Sequence, residues 1–459
     1  MYLQIFCYGQ DSYNFTPLKT LINESNSTDS LKTSQQNSQF SLEINSISYF
    51  NTNLPNFENQ NGNYFPKGFG VLNSMLFKFQ SDYFKLSVEP IHHIRQQYGI
   101  DVPQKESEFS VLNDIPLPEK FDKNRLKNTG VKFNYSGISA GYGNWNRWWG
   151  PGIHNSLSFS NNAQGFYHFF VGSDGQQKIW KNTFIYFNYI VSSPMENYFG
   201  KDYFLSASFL KIKFKYLEIG LNHNILSGGN NDLLWDQKNA AAVILSRKNI
   251  KYWDTITTYY LMADFKNSGL KVFFEIGFPN REFNDKDPSL YYDHSMGNNL
   301  GLRKYKAFGV DKLMIGFEYT RLVQGIYYNI LPTSNWYDNI KYNYSSYNGR
   351  RWAAHSGSDS DDLLLFIGYM DKKINIIYGL NYERHGVSYH FPPEVKLESR
   401  ISMNYNYNNF QIFVNYENEY FRHYGFVDKN NNVWLEEFEL GSVQRTNSIL
   451  FSIKYIFPI

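Results

Sequence analysis

The sequence predicts an all-β chain folded as a transmembrane antiparallel outer-membrane β-barrel of about eighteen strands, with short periplasmic turns and long extracellular loops. Three observations predict it. Connections alternate in length along the 459 residues. Short polar turns fall at Ser81-Asp82, Ser136-Gly137, Ser173 to Gln177, Lys215-Tyr216, Lys266 to Gly269, Gly309-Val310, Asp371-Lys372 and Asn408-Asn409, and longer Asn- and aromatic-rich stretches such as 91–128, 227–254 and 323–360 fill the gaps. A soluble sandwich has no reason to gather its long loops at one end, whereas a barrel that crosses the outer membrane does. The intervening segments alternate apolar and polar side chains with period two. Aromatic residues make up 19% of the chain, with 38 Tyr and 39 Phe, as belts at two membrane interfaces require.

Taken from the N-terminus, residues 1–9 (MYLQIFCYG) read as the tail of a secretory signal peptide and carry the chain's one cysteine, Cys7. Cleavage near Gly9-Gln10 leaves a cysteine-free protein, suited to an oxidising periplasm. Residues 10–38, rich in Ser, Asn, Gln and Thr, read as a polar periplasmic segment, either a tail or a plug with at most one weak helix around Leu18 to Glu24. The barrel occupies residues 39–459. Its strands are expected near 41–51, 69–80, 83–91, 129–136, 137–144, 164–172, 181–192, 203–214, 215–226, 256–266, 269–280, 298–308, 310–322, 361–371, 373–385, 395–407, 409–422 and 446–457. An even number returns both termini to the periplasmic side.

The alternation is clearest late in the chain. Ile449, Phe451, Ile453, Tyr455 and Phe457 alternate with Ser448, Ser452 and Lys454, and Ile374, Ile376, Tyr378, Leu380 and Tyr382 alternate with Asn375, Gly379, Asn381 and Glu383. Period two puts the two sets on opposite sheet faces, apolar to lipid and polar to the lumen. The closing aromatic strand, Phe451 to Phe457, is similar to the terminal signal read by outer-membrane assembly machinery. No blade or coil motif repeats, which argues against a propeller or β-helix. Mean hydropathy is −0.49 and no stretch approaches the ~20 apolar residues of a transmembrane helix. A barrel strand shows lipid only every second side chain, so this value fits a barrel. A net charge of +2, from 44 basic and 42 acidic residues, gives no argument for nucleic-acid binding.

The lumen-facing set carries both signs: Lys132, Glu218, Lys271, Glu275, Glu318, Glu383, Lys396, Glu398, Arg400, Glu417, Glu419 and Lys454. Arg400 and Glu417 lie on strands joined by a tight turn, so they are placed to pair. Mixed charge favours an internally crosslinked lumen over a wide single-sign channel.

The densest segment is Gly141 to Phe170, GYGNWNRWWGPGIHNSLSFSNNAQGFYHFF. Trp145, Trp148 and Trp149 supply flat apolar faces; Arg147, Asn155, Asn161 and Asn162 supply hydrogen-bonding groups; Gly150-Pro151-Gly152 forces a tight bend. Aromatic faces beside planar polar groups suit sugars, whose C–H faces stack on rings while their hydroxyls need bidentate partners. The competing reading is a loop folded into the barrel mouth, its tryptophans serving as packing and Arg147 pinning it to a lumenal carboxylate. Farther on, His355, Asp359, Asp361 and Asp362 have the residue types of a metal or hydrolytic site. Ser and Gly interrupt that cluster and no second histidine falls at ligand spacing, so neither a metal nor a catalytic pair is expected. No P-loop, dinucleotide fingerprint or nucleophile elbow occurs, and no cofactor is expected.

The run Arg147-Trp148-Trp149-Gly150-Pro151-Gly152, then Asn155-Ser156-Leu157, Ser160-Asn161-Asn162-Ala163, Gly165-Phe166 and His168, resembles the Wzi family of capsule-assembly outer-membrane proteins. A looser match spans Gly349 to Leu363, including Arg351, Trp352, His355 and Asp359. The resemblance implies an eighteen-stranded barrel that holds capsular polysaccharide at the cell surface. Better-known members close the periplasmic end with a helical bundle, for which the N-terminal segment here is short. The candidate polysaccharide contacts are therefore Trp145, Arg147, Trp148, Trp149, Asn155, Asn161, Asn162, His168, Arg351, Trp352, His355 and Asp359. The expected partners are capsular polysaccharide or exopolysaccharide and outer-membrane lipids, with no nucleic acid, around a monomeric, non-enzymatic barrel. A porin-like channel or a structural, motility-associated surface protein are the alternatives.

Overall fold

The structure, a computed structural model, describes residues 21, 39–55, 58–96, 108–109, 124–229, 253–279, 296–323, 336–388, 392–425 and 443–458. The expected signal remnant, and all of the polar segment except Leu21, lie outside the described residues.

Eighteen strands form the wall. They are β1 (Gln39–Asn51), β2 (Gly68–Gln80), β3 (Phe84–Arg95), β4 (Asn124–Tyr135), β5 (Ile138–Gly143), β6 (His168–Ser173, resumed at Gln177–Trp180), β7 (Thr183–Ser192), β8 (Asp202–Lys213), β9 (Leu217–Gly228), β10 (Asp254–Phe265), β11 (Leu270–Pro279), β12 (Gly297–Tyr305), β13 (Leu313–Arg321), β14 (Ser360–Met370), β15 (Ile374–His385), β16 (Glu394–Tyr407), β17 (Phe410–Arg422) and β18 (Gln444–Pro458). Each pairs antiparallel with the next, and β1 pairs with β18 from Ser41↔Pro458 to Asn51↔Ser448. This last pairing closes the sheet. A closed sheet has no edge, so the wall's backbone hydrogen bonds are met between strands, the condition for crossing hydrocarbon.

The period-two pattern sets the two faces. On β18, Ile449, Phe451 and Ile453 point outward and are exposed, while Ser448, Ser452 and Lys454 point inward and are buried. Such an arrangement puts apolar surface outside and polar groups within, as lipid requires. Connections between β2 and β3, β4 and β5, and every second pair thereafter are short, and those at the other end are long.

One expected turn is displaced. Gly172 pairs with Asn188 and Gln177 with Ile185, so Ser173 to Gln176 form a bulge inside β6, and the hairpin reverses at Lys181-Asn182, where Trp180 pairs with Thr183. Gly175 takes a positive φ of 76° there. Bulges and turns draw on the same Ser, Asp and Gly residues, which is why composition misplaced the reversal.

The core of this molecule is its lumen. One cluster joins Trp145, Trp149, Phe159, Trp336, Tyr337 and Trp352 from two long connections to wall residues such as Tyr203, Phe209 and Tyr260. A second gathers Ile47, Tyr49, Phe65, Leu72 and Ile153 around Leu21, which is helical and buried.

Candidate functional site

The connection from β5 to β6, residues 144–167, turns into the barrel rather than outward. Its Gly150-Pro151-Gly152 bend descends along the wall, where Arg303 of β12 donates from Nη1 to the Pro151 carbonyl at 3.2 Å. Immediately beyond, three consecutive backbone N–H groups converge on one carboxylate. Ile153 donates to Glu318 Oε2 at 2.7 Å, His154 to Oε1 at 3.1 Å, and Asn155 to Oε1 at 2.7 Å. Charge-assisted bonds of this kind are about twice as strong as neutral ones. Glycine at 152 permits the close wrap: a Cβ there would stand 2.3 Å from the Asn155 carbonyl oxygen and 2.7 Å from Glu318 Oε1. Trp149 is packed between Phe209, stacked at 5.3 Å, and Phe159, edge-on at 4.9 Å.

The connection from β13 to β14 lies against this loop. Its described part, 336–359, carries a two-residue ribbon pairing Ser346-Tyr347 with Arg350-Arg351. Trp352 stacks on Phe159 at 5.0 Å, and its carbonyl accepts the Ser160 N–H at 2.8 Å. Asn162 Nδ2 donates to the Arg351 carbonyl at 3.1 Å. The β1–β2 connection supplies the third piece: Asn59 Nδ2 donates to the His154 carbonyl at 2.8 Å, and the Asn61 N–H to the Asn161 carbonyl at 2.7 Å. The asparagines of the dense segment thus join loop to loop.

Charged groups fasten the loops to the wall. Lys396 bridges Glu383 at 2.9 Å and Glu398 at 3.1 Å and also meets Glu58; Arg400 meets Glu58 at 2.6 Å, Glu398 at 2.8 Å and Glu417 at 2.7 Å. Glu58 belongs to the β1–β2 connection. Burial alone would raise its pKa, but Lys396 and Arg400 hold it down at about 2. Beside this network, His154 Nε2 stands 3.2 Å from Asp362 Oδ2, and His355 Nε2 stands 3.3 Å from both Asp362 Oδ2 and Glu383 Oε1. Burial disfavours a charged imidazole at 355, yet the two carboxylates outweigh it and hold that ring up at about 10. The carboxylates here require a positive charge among them.

These contacts give the residues expected at a sugar platform partners within the protein. Trp145, Trp149, Asn155, Asn161, Asn162, His168, Arg351, Trp352, His355 and Asp359 are all buried. Arg147 and Trp148 are partly buried. Arg147 Nη2 lies 3.1 Å from His168 Nε2 and its guanidinium covers the Phe170 ring. Trp148 Nε1 donates to the Gly152 carbonyl at 2.9 Å. Asp359 accepts the Ser388 N–H at 2.8 Å, capping the next connection. The physical reason is plain: a lumen of this width needs filling, and tryptophans in a glycine-hinged loop fill it.

Sequence spacing also missed two features. His154 is the second histidine beside His355, brought there from a different loop. The open aromatic surface at the long-loop end includes Tyr198 and Phe199, in the β7–β8 connection, which are 42% and 59% exposed. The Tyr198 N–H donates to Asn343 Oδ1 at 2.8 Å, Asn343 Nδ2 donates to the Glu196 carbonyl at 3.0 Å, and the Tyr198 ring lies 6.4 Å from that of Tyr344. Two connections thereby hold these rings in place at the rim.

Comparisons with known proteins agree with this architecture. The model of the capsule assembly protein Wzi family matches residues 50–417. Among solved structures, the chain is similar to Wzi of Escherichia coli, an outer-membrane carbohydrate-binding β-barrel involved in group 1 capsule assembly. The TM-score is 0.60 at 10% identity, covering 91% of this chain and 84% of that one. It is also similar to OccAB4 of Acinetobacter baumannii (TM-score 0.51, 11% identity, 93% and 99% covered) and to OccK8 (OprE) of Pseudomonas aeruginosa (TM-score 0.51, 12% identity, 92% and 98% covered). At these identities the likeness concerns the fold. No curated protein matches the chain.

Proposed function

The chain belongs to the Wzi family of capsule assembly proteins, and from that premise we propose that it is a non-enzymatic outer-membrane barrel that binds and organises capsular or other surface polysaccharide. The observation that carries this reading is the filled lumen. Loops 58–63, 144–167 and 336–359 are bonded to one another and to the wall inside the barrel. A barrel packed in this way has little room to pass a solute, which favours a holding role over a porin. What it offers to a polymer is the rim at its long-loop end.

At that rim, Tyr198 and Phe199 are the described aromatic faces best placed for sugar C–H surfaces, with Asn343 and Lys341 nearby as polar partners. Stacking on one ring is worth on the order of 1–3 kcal/mol by analogy with nucleobases. A long polymer engaging several barrels multiplies such modest contacts through avidity. The barrel acts as a monomer in contact with outer-membrane lipids. A glycan array probed with the purified, detergent-solubilised barrel tests the reading. Retention of acidic or neutral bacterial polysaccharides by the wild type, weakened about tenfold in Tyr198→Ala with Phe199→Ala, is the expected result. A folded wild type that retains no polysaccharide contradicts it.

A further inference from the structure

We propose that His154, His355 and Asp362 form a transition-metal site of the zinc type that clamps the two lumenal loops to the barrel wall. The three come from separate elements: loop 144–167, loop 336–359 and β14. One ligand atom from each lies within 4.8 Å of the others, and all three residues are buried. The two measured edges are 3.2 Å, from His154 Nε2 to Asp362 Oδ2, and 3.3 Å, from His355 Nε2 to the same oxygen. A tetrahedron with metal–ligand bonds of 2.0–2.1 Å has edges of about 3.3–3.4 Å, so these atoms already stand at ligand separation.

The surroundings point the same way. The two imidazole rings face each other edge-on, with centroids 4.4 Å apart. Both histidines are fixed through their backbones. The His154 N–H donates to Glu318 and its carbonyl accepts from Asn59, while the His355 N–H donates to Asn155 Oδ1 at 3.1 Å. The His355 side chain is 1% exposed; its Nδ1 has no hydrogen-bond partner, and its Nε2 faces two carboxylate oxygens at 3.3 Å without a hydrogen bond of good geometry. A cation held at Nε2 would supply the positive charge that these buried carboxylates otherwise draw from the imidazole. Asn155 donates to Asp362 Oδ2 and Asn381 to Oδ1, orienting the carboxylate as outer partners orient ligands in metal sites; Asn381 Nδ2 also lies 3.0 Å from His154 Nε2, a contact that a bound ion would replace. Two imidazoles with one carboxylate select zinc or a neighbouring first-row ion over calcium or magnesium, which take oxygen ligands. Glu383 Oε1 stands 3.3 Å from the same His355 Nε2 and lies outside the triad, where its charge would help balance the ion. The acidic group Glu58, Glu398 and Glu417 carries no such assignment, because Lys396 and Arg400 already occupy it.

The test uses untagged, detergent-solubilised barrel, stripped with a chelator and titrated with Zn2+, and separately with Co2+. One equivalent of Zn2+ should bind, and Co2+ should show the visible d–d absorption of a low-coordinate imidazole site. The variants His154→Gln and His355→Gln keep a hydrogen-bonding amide in place of each ring. Each should weaken Zn2+ binding by at least about a hundredfold, beyond the 10–100-fold that loss of an outer partner costs. His92→Gln, at an exposed histidine, should leave binding unchanged. Chelation should also lower the temperature at which the compact barrel unfolds on a gel. A folded wild type that takes up no stoichiometric Zn2+ or Co2+ overturns the site whatever the variants do. Unchanged binding in both folded histidine variants overturns it equally.

Discussion

Arg400 donates from Nε to Glu417 Oε2 at 2.7 Å, and the two residues stand opposite each other in the β16–β17 register. The same guanidinium reaches Glu58 and Glu398, so one wall residue bridges three carboxylates, one of them on a lumenal loop. Breaking a buried pair by removing one partner costs about 3–5 kcal/mol, because the stranded charge has no solvent. Arg400→Met should therefore lower the temperature of heat-modified migration clearly below that of the wild type. An unchanged transition would show that the network adds nothing to stability.

The Glu318 contact makes a prediction about the plug. Glu318→Ala strands the N–H groups of Ile153, His154 and Asn155, each at a cost of about 1–3 kcal/mol if left buried. The loop should leave its seat while the wall, closed by its own ladder, persists. In planar bilayers the wild type should be nearly silent, and Glu318→Ala and Gly152→Ala should each open measurable conductance. A wild type with porin-like conductance contradicts the filled lumen.

Packing and ligand roles separate at two aromatic sites. Trp149 is buried between Phe159 and Phe209, so Trp149→Ala should cost about 3–5 kcal/mol and reduce the amount of folded barrel. Tyr198→Ala with Phe199→Ala touches exposed rings and should leave folding unchanged while releasing polysaccharide from the cell. Loss of cell-bound polysaccharide from Trp149→Ala at full barrel abundance would reverse this assignment.

Topology gives a fourth check. An epitope inserted after Gly200, in a long-loop connection, should be labelled on intact cells, and one between Asp371 and Lys372 should not. Labelling at Asp371-Lys372 would invert the barrel in the membrane.

The wall was legible in the sequence because period two and turn residues are local signals. Every expected strand has its counterpart, and even the Arg400–Glu417 pair followed from a two-residue turn. The one displaced reversal, at Lys181-Asn182 rather than Ser173 to Gln177, arose where a glycine bulge used turn chemistry. The lumen was less legible. Trp149 and Trp352 carry the same residue type whether they stack on sugar or on Phe159, and only the path of the loop decides. His154 and His355 meet through a fold that no spacing within either segment encodes. The rim pair Tyr198 and Phe199 sits in a long-loop-end connection with no motif, and its exposure follows from the barrel's geometry alone.

The most direct measurement of the central claim is polysaccharide partition in the source bacterium. The gene is deleted and restored, and cell-bound and released surface polysaccharide are quantified separately. A polysaccharide-holding barrel predicts normal total polymer, a shift of most of it from cells to medium on deletion, and recovery on complementation with the wild type. Unchanged cell-bound polymer in the deletion strain, with the barrel abundant in the parent's outer membrane, would contradict the account.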